Sequence, residues 1–556
     1  IRVGTFHQLC LDLLRKSPGW RERTLVSEYE LAGFFPGENG IRRALLAVSR
    51  LKNRNLLPDD PEVPEEWRDF YRRYQEFLQE EGLMDYDEIL VEAVRLLREG
   101  LVPPEVRGGY RHLLVDEFQD VTPLQYQLIK LLAETGATLF VIGDPDQSIY
   151  GFRGADASVF ADFRRDYPAA AEIRLRLNYR STPVIIGAAQ HLISRNPAPG
   201  GRALLEPVRP AADSPLITYL PAPGETAESI AVAREIIRLV GGTDMLSAHG
   251  SFRGNKEGGS YSFGDLAVLF RTGRQAEALE KALCKEGLPY KVAGEKDLFY
   301  LPRVRETVTF LHSLVEEEDR LLLAALGLPC FFPGREAMDK LEALRRHDPR
   351  TFRATLALAN QEAFPPAVME KLSSYHTCRK RYQALLAEGV PAFLGEWIKD
   401  RGWEEAEEME RLQGMAVLSH DPADFLTRII HGKEQDLERE GKKGPAPEYI
   451  RLMTIHAAKG LEFPVVLITG LEEGLLPLTG EGTPEEIEEE RRLFYVSLTR
   501  AQKEVILFSA GRRRRFGARD TAPALPSRFL QELPEEKLQR RIIKKKPPKP
   551  VQPGLF

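Results

Sequence analysis

Two pairs of polar side chains have the types and spacing to carry out phosphate chemistry. Asp116 and Glu117 follow one apolar run directly, and Asp144 and Gln147 follow the next. An Asp followed by a Glu suits the hydrolysis of a nucleoside triphosphate, because the first carboxylate can hold Mg²⁺ and the second can take a proton from the attacking water. We expect Gln147 to orient that water or to sense the terminal phosphate. Taken alone, an Asp-Glu pair also fits an ordinary strand end in a solvated loop.

The two apolar runs that must position these side chains are residues 110–120 and 137–147. Their short stretches of β-branched and aliphatic residues are typical of parallel strands that are buried on both faces. Residues 123–134 between them have the apolar spacing of a crossover helix, which completes a βαβ unit. Ligands of open α/β sheets bind outside the carboxyl ends of the strands. The sequence therefore predicts that the carboxylates crowd at one edge of a sheet.

The composition limits the class of protein. A length of 556 residues suggests three or four domains, since single cores stop growing near ~250 residues. No stretch reaches the ~18 uninterrupted apolar residues of a membrane span, so no membrane partner is expected, and we expect a cytoplasmic protein without a secretory signal. The four cysteines are far apart and indicate neither a zinc site nor a disulfide framework. A net charge of −6 argues against a uniformly basic DNA-coating protein, although a locally basic groove can hold bases by stacking.

Five ordered motifs carry a family resemblance. They are VDEFQD at residues 115–120, IGDPDQSIYGFRGA at 142–155, LNYRST at 177–182, RLMTIHAAKGLEF at 451–463 and RRLFYVSLTRA at 491–501. In order and spacing they resemble motifs II to VI of the UvrD/Rep-type superfamily 1 DNA helicases, and residues 1–7 resemble motif Ib. Five motifs in order across nearly the whole chain are far more specific than any one of them.

The resemblance implies an α/β fold with two RecA-like (P-loop NTPase) parallel-sheet domains, each carrying a helical insertion domain. The implied ranges are 1–16 and 83–180 for domain 1A, 17–82 for insertion 1B, 181–300 and 448–535 for domain 2A, 301–447 for insertion 2B, and 536–556 for a flexible basic tail. Within insertion 1B, Trp67, Phe70, Tyr71 and Tyr74 recur at helical spacing. That spacing favours a helix core over a base-stacking surface.

The resemblance also implies ATP and Mg²⁺ as ligands and assigns roles around them. Asp116 holds the metal, while the catalytic residues are Glu117, Gln147, Arg180 and Arg500. Guanidinium groups suit the charge that spreads over a departing γ-phosphate, because they are planar, permanently charged and bidentate. Tyr179 resembles the residue that stacks on adenine, and Glu462 the one that reaches the ribose. The alternatives are a surface salt bridge for either arginine and a core position for Tyr179.

Contacts with single-stranded DNA and duplex junctions are implied at a further set of positions. These are Thr5, His7, Tyr150, Phe152, Arg153 and His456. A ring at the motif III turn can insert between bases, and such stacking does not depend on base sequence. Phe152 stands where many relatives have Trp, and Gly151 where they have Arg, so the stack is expected to be smaller and one local charge is lost. Arg153 is retained and could couple the nucleotide state to that turn.

No Gly-x-x-x-x-Gly-Lys-Ser/Thr loop occurs in the sequence, and GKKG at residues 441–444 lacks its spacing and hydroxyl residue. Either the chain is the larger part of a longer protein, which we expect, or its ATPase is degenerate. The expected activity is that of an ATP-dependent 3′→5′ DNA helicase or translocase, with this chain alone inactive. The alternative is an ATPase-deficient, DNA-binding scaffold subunit of a repair or recombination complex.

The end of the chain, residues 540–556, is rich in Lys and Pro, which predicts an extended and flexible tether. Gln552, Leu555 and Phe556 match the Gln-x-x-Leu-Phe spacing of peptides that dock on the bacterial replication sliding clamp, where the apolar pair fills a pocket. The alternative is an arm that packs back on its own domain or binds DNA through its lysines. Both interpretations stay open, because motifs of five residues match by chance often.

Overall fold

The computed structural model describes residues 3–17, 23–26, 31, 41–103, 110–151, 154–155, 158–198, 200–210, 217–241, 261–293, 301–359, 364–416, 421–423, 425–426, 448–478, 482–514 and 521–541. The chain divides into two compact units. The first consists of Ile1–Arg107 and Lys296–Ala446, and the second of Gly108–Glu295 and Pro447–Phe556. In the described residues, no helix combines the length and the apolar character that crossing a bilayer requires.

The helices of the described residues are α1 (Phe6–Leu14), α2 (Ile41–Asn53), α3 (Glu65–Glu80), α4 (Tyr86–Arg98), α5 (Pro123–Ala133), α6 (Val159–Asp166), α7 (Pro183–Ile193), α8 (Glu225–Val240), α9 (Arg274–Lys285), α10 (Pro302–Val315), α11 (Asp319–Leu326), α12 (Arg335–His347), α13 (Pro349–Leu356), α14 (Pro366–Leu386), α15 (Val390–Asp400), α16 (Glu407–Ala416), α17 (Pro484–Thr499) and α18 (Arg528–Gln531). The strands are β1 (Thr24–Leu25), β2 (Leu83–Met84), β3 (His112–Val115), β4 (Thr138–Val141), β5 (Leu177–Asn178), β6 (Glu206–Pro207), β7 (Ile217–Ala222), β8 (Leu266–Phe270), β9 (Tyr290–Ala293), β10 (Ile450–Thr454), β11 (Phe463–Ile468), β12 (Ala501–Ala510), β13 (Arg512–Arg514), β14 (Thr521–Pro523) and β15 (Leu538–Arg540).

The first unit is mainly helical. Phe70, Tyr71 and Tyr74 of α3 are buried in one apolar cluster with residues of α2, and Trp67 is partly buried against that cluster. The prediction that this aromatic stripe is core is confirmed. Helices α10 to α16 form a second cluster, in which the ring of Phe310 stacks on Trp397 with centroids 4.4 Å apart. The described residues between 301 and 416 are therefore mainly helical.

The second unit contains a seven-stranded sheet in the order β15-β7-β12-β11-β8-β10-β9, with every neighbouring pair parallel. All five residues of β8 are buried. Alternate β8 residues face opposite sides: Ala267 and Leu269 join the cluster that includes α7 and α17, while Val268 and Phe270 join the cluster that includes α8 and α9. Helices on both faces explain why these strands are continuously apolar.

The predicted βαβ unit is also present in the second unit. Strands β3 and β4 pair in parallel, and α5 connects them. The prediction that both strands are buried on both faces is wrong, since Leu114 is 72% and Phe140 52% exposed. Among the described residues this sheet has two strands, and one of its faces has no covering layer, so side chains at alternate positions face solvent.

Candidate functional site

The carboxyl end of β3 presents two acidic side chains to solvent. Asp116 and Glu117 are both exposed, and Asp116 Oδ1 accepts the N–H of Glu117 at 2.9 Å. Glu117 has a left-handed backbone with φ of 52° and ψ of 42°. That conformation is costly for a residue other than glycine and is concentrated at functional positions. The bend turns the chain directly after the strand and keeps the Glu117 carboxylate accessible to a ligand.

Gln119 joins the ends of β3 and β4. Its amide nitrogen donates to the carboxylate of Glu117, and its Oε1 accepts the N–H of Asp144 at 2.9 Å. Asp144 in turn accepts Gln147 Nε2 at 2.8 Å through Oδ2, while burial raises the pKa of Asp144. Gln119 lies inside the VDEFQD motif but was not among the predicted site residues. Its burial beside a solvated acidic pair is visible only in the fold.

Arg500, at the end of α17, points its guanidinium at Gln147. Nη2 donates to Gln147 Oε1 at 3.1 Å, and Nη1 donates to the carbonyl of Leu461 at 3.3 Å. The side chain also bonds Val496 O and Thr499 Oγ1 from its own helix end. Burial, followed by the nearby charge of Arg180, lowers the pKa of Arg500 to about 10. A desolvated cation is therefore held in place beside the predicted phosphate sensor.

Arg180 and Tyr179 follow the short strand β5. Arg180 Nε donates to Glu462 Oε2 at 2.6 Å, and this bond is the main cause that lowers the pKa of the Glu462 carboxyl. Arg180 thus forms a salt bridge, as the alternative interpretation held, but its partner is itself a predicted site residue. Tyr179 is 66% exposed, so the alternative of a core position is wrong for it. Both side chains remain accessible for ligand contacts.

Lys459 lies among these groups, although it was not a predicted site residue. Its Nζ is 2.5 Å from Asp120 Oδ2, 2.8 Å from the carbonyl of Gln147 and 4.0 Å from Glu117 Oε2. The side chain is only 7% exposed. Lys459 lies in the motif at 451–463 and Asp120 in the motif at 115–120. The sequence alone does not show that their side chains form an ion pair.

The residues predicted to contact DNA are divided between the two units. In the second unit, Tyr150 donates its hydroxyl to the carbonyl of His456 at 3.4 Å, and the two rings are 6.3 Å apart. In the first unit, Thr5 accepts the N–H of Gln8 at 3.2 Å and caps α1. The predicted residues outside the described part of the chain are Phe152, Arg153, Gln552, Leu555 and Phe556.

His7, also in the first unit, is held by its neighbours more than the resemblance suggested. Its ring stacks on Tyr86 with centroids 3.9 Å apart. Burial lowers the pKa of His7 to about 4, so the imidazole is neutral at physiological pH. A neutral, stacked ring can contact a base or sugar but brings no charge to a phosphate.

Within the second unit, the arrangement suits the transfer of a phosphoryl group to water. It combines an accessible carboxylate at Glu117, an amide at Gln147, and two guanidinium groups at Arg180 and Arg500, one of them fixed by burial. A carboxylate base with positioned cations supplies what that reaction needs, since it depends on positioning and charge stabilisation more than on covalent chemistry.

Comparisons with known proteins agree with this chemistry. The UvrD/REP helicase N-terminal domain matches residues 38–168, and the UvrD-like helicase C-terminal domain matches residues 173–348 and 404–511. The ATP-dependent DNA helicase PcrA of Staphylococcus epidermidis is 28% identical over 98% of this chain and 78% of its own length. The ATP-dependent DNA helicase UvrD1 of Mycobacterium bovis is 31% identical over 98% of this chain and 76% of its own length. This chain therefore belongs to the UvrD/REP helicase family.

Proposed function

We propose that the chain contributes the catalytic and DNA-contacting residues of an ATP-dependent DNA helicase or translocase that moves 3′→5′ on single-stranded DNA. The observation that carries the proposal is the contact of Arg500 with Gln147. These residues are 353 positions apart, yet their side chains meet beside the carboxylates of β3. The relatives PcrA and UvrD1 are ATP-dependent DNA helicases, which supports the same activity.

In the proposed reaction, water attacks the γ-phosphorus of ATP, the bond from that phosphorus to the β,γ-bridging oxygen breaks, and ADP and inorganic phosphate are released. Glu117 accepts the proton of that water, and the Gln147 amide orients it. Arg500 and Arg180 stabilise the negative charge on the γ-phosphate oxygens, an effect worth on the order of 10³-fold or more in turnover for such arginines. Arg180 would exchange its bond to Glu462 for phosphate oxygens when ATP is present.

The donor set at the end of β3 fits Mg²⁺. This ion usually keeps several waters and takes one or two protein carboxylates together with phosphate oxygens. An exposed carboxylate at a strand end, as Asp116 provides, is the protein ligand that such a site needs. The ion would offset charge on the phosphates of ATP.

We assign the nucleoside to Tyr179 and Glu462. The exposed ring of Tyr179 offers a face for adenine, and the Glu462 carboxylate, 49% exposed, is able to accept ribose hydroxyls. We further assign the seven-stranded sheet to the second of two RecA-like domains, with domain and insertion boundaries as implied by the resemblance. The parallel strands and two-sided helix cover of that sheet support the assignment.

Single-stranded DNA is proposed to contact Tyr150 and His456 in the second unit and Thr5 and His7 in the first. Stacking of a base on an aromatic side chain contributes about 1–3 kcal/mol and tolerates any base, which suits a translocating enzyme. Phe152 and Arg153 join this set by resemblance. Duplex junctions are the expected substrate, since a strand-separating enzyme moves on one strand and displaces the other.

The phosphate-binding loop that ATP hydrolysis requires has no counterpart in the 556 residues. We therefore expect these residues alone to hydrolyse ATP poorly. Protein expressed from the whole gene is the appropriate material for assays of turnover. If the isolated 556 residues hydrolysed ATP about as fast as the protein expressed from the whole gene, hydrolysis would not depend on that loop.

The experiment compares ATP turnover with and without oligo(dT) in the parent protein and in Glu117→Gln. Turnover in the parent should be stimulated by DNA. The variant should bind ATP almost as tightly as the parent but stop hydrolysing it, because the change removes the base and leaves the metal ligand. Glu134→Gln, at an exposed position after α5, is the matched control and should behave as the parent. A parent that binds DNA without hydrolysing ATP would favour the scaffold alternative.

Docking on the sliding clamp through Gln552, Leu555 and Phe556 rests on sequence alone and stays a prediction. A fluorescent peptide of residues 546–556 should bind purified clamp, and its Leu555→Ala/Phe556→Ala version should not. Equal binding by both peptides would leave the lysines as the contact and contradict docking.

A further inference from the structure

Residues 455–462, between β10 and β11, form a loop that contacts several parts of the candidate site, and we call it the linking loop. Lys459 bonds Asp120 and the carbonyl of Gln147. Two and three residues later, the carbonyl of Leu461 accepts Arg500 Nη1 at 3.3 Å and Glu462 accepts Arg180 Nε at 2.6 Å. Because these contacts come from adjacent positions of one short segment, a displacement of the loop acts on all of them together.

Forming the ion pair between Lys459 and Asp120 costs more free energy than a contact that only stabilises the fold would need to cost. Both side chains are largely removed from water, and burial raises the pKa of the Asp120 carboxyl. Asp120 Oδ1 is buried, and the described residues offer it no hydrogen-bond partner. Apolar residues of similar volume often stabilise a fold as well as a buried ion pair does. The retained charges therefore call for an explanation other than stability.

The same loop reaches the residues assigned to DNA. The carbonyl of His456 accepts both the hydroxyl of Tyr150, at 3.4 Å, and the backbone N–H of Lys459, at 3.3 Å. The ammonium of Lys459 also lies 5.1 Å from the centroid of the Tyr150 ring, within the range of a cation–π contact. Lys459 thus contacts Tyr150 through its ammonium and, through its backbone N–H, the His456 carbonyl that also accepts the Tyr150 hydroxyl. Its hydrogen bonds to Asp120 and to the Gln147 carbonyl reach the residues assigned to ATP hydrolysis.

We propose that Lys459 is a positioning residue that couples DNA contact at Tyr150 and His456 to ATP hydrolysis. This inference rests on the proposed function. A base that binds at Tyr150 and His456 changes the position of the linking loop at its start. The ammonium transmits that change to the backbone of Gln147 and to Asp120, three residues after Glu117. The Gln147 amide, which orients water, and the Glu117 carboxylate, which accepts its proton, thereby keep the relative positions that hydrolysis requires.

The test uses four variants of the protein expressed from the whole gene. Lys459→Met removes the cation, Asp120→Asn removes its partner charge, the double variant removes both, and Lys459→Arg keeps a cation. Lys130→Met is the matched control, because Lys130 also pairs with a carboxylate, that of Asp166, at a more exposed position of the same unit. For each protein we measure the melting temperature, kcat and KM for ATP, and the ratio of turnover with and without oligo(dT).

Coupling predicts that Lys459→Met lowers DNA-stimulated kcat by about 10- to 100-fold, the loss seen when hydrogen-bond partners of metal ligands are removed, while KM and DNA-free turnover change far less. Lys459→Arg should recover part of the stimulation. The double variant should regain the parent's melting temperature, since no buried charge is left unpaired, but not its stimulation ratio.

The outcomes separate this role from the proposed function. If the double variant recovers both the melting temperature and the stimulation of ATP turnover by DNA, the ion pair only stabilises the fold and the inference is overturned. Full stimulation in Lys459→Met, in a background where the parent is DNA-stimulated, would overturn the inference and leave the proposed function intact. A parent without any DNA-dependent turnover would overturn both.

Discussion

Arg500 is a buried arginine whose removal should stop catalysis without weakening the fold. The described residues place no carboxylate within ion-pair distance of its guanidinium, which bonds carbonyl, hydroxyl and amide oxygens instead. We predict that Arg500→Met lowers ATP turnover on the order of 10³-fold or more, because a charge that stabilises the transferring phosphate is lost. The same change should leave the free energy of unfolding nearly constant.

The expected change in the free energy of unfolding on Arg500→Met is the sum of two opposing contributions. Burial lowers the pKa of Arg500 to about 10, which corresponds to a penalty of roughly 3 kcal/mol against the charged form in the folded protein. At neutral pH the guanidinium is charged in both the folded and the unfolded chain, so the whole penalty applies, and it eases only as the pH rises above about 10. Methionine removes this penalty but loses the four hydrogen bonds, each contributing about 1 kcal/mol net. The two contributions nearly cancel.

Arg513 supplies the matched comparison. It is similarly buried, but it pairs with Glu228 and with Glu472, whose carboxylate lies 2.6 Å from Arg513 Nε. Burial alone would lower the pKa of Arg513, but the two carboxylates outweigh burial and raise it. Arg513→Met would leave two buried carboxylates without their cation, which typically costs about 3–5 kcal/mol.

The assay is urea unfolding of the parent and both variants, followed by circular dichroism, in parallel with ATP turnover. We expect Arg513→Met to lower the unfolding midpoint clearly and Arg500→Met to leave it almost unchanged. ATP turnover should be lost in Arg500→Met. If Arg500→Met is destabilised as much as Arg513→Met, the energetic reasoning is wrong. If it retains turnover within a few-fold of the parent, Arg500 is not a catalytic residue.

Three further predictions follow from single positions. Arg180→Ala should lower turnover on the order of 10³-fold in steady-state assays with little change in melting temperature, because the side chain is partly exposed; a rate close to the parent's would remove Arg180 from the site. His7 should make the fold sensitive to acid, since its folded pKa of about 4 lies below the usual value of 6.5, so the unfolded chain binds the proton first and stability is lost as the pH falls from about 6.5 towards 4. Melting temperatures at pH 8 and pH 5 should therefore differ less in His7→Gln than in the parent, and equal differences would refute this. Gly143→Ala should destabilise the protein by about 1–3 kcal/mol in urea unfolding, because the added Cβ would clash with Gln119 Oε1 and lie 2.9 Å from Phe160 Cζ; an unchanged midpoint would mean that Gln119 moves freely.

Local pattern predicted the elements that carry the site. The helix expected at 123–134 is α5, because Thr122 and Gln125 form a capping box and Pro123 fits the first helical turn. The strands expected within 110–120 and 137–147 are β3 and β4. These elements are specified by residues close in sequence, so their periodicity and end signals are readable without a structure.

Contacts between distant residues were not predictable in the same way. Lys459 and Asp120 are 339 positions apart, and neither type nor spacing indicates that they pair. The exposure of Leu114 and Phe140 was also missed, because an apolar strand reads as buried whether or not a second layer covers it. Arg500 and Gln147 were assigned to one site only through the family resemblance, while the fold shows which atoms meet.

Stopped-flow translocation assays measure whether ATP hydrolysis at this site drives movement along single-stranded DNA. Protein expressed from the whole gene is bound to oligo(dT) of increasing length with a fluorophore at the 5′ or the 3′ end, and ATP is added. We expect a lag that grows with length for the 5′ label, no such lag for the 3′ label, and no signal change with Glu117→Gln. Signals independent of length at both ends, or a growing lag at the 3′ label alone, would show that the enzyme does not move 3′→5′.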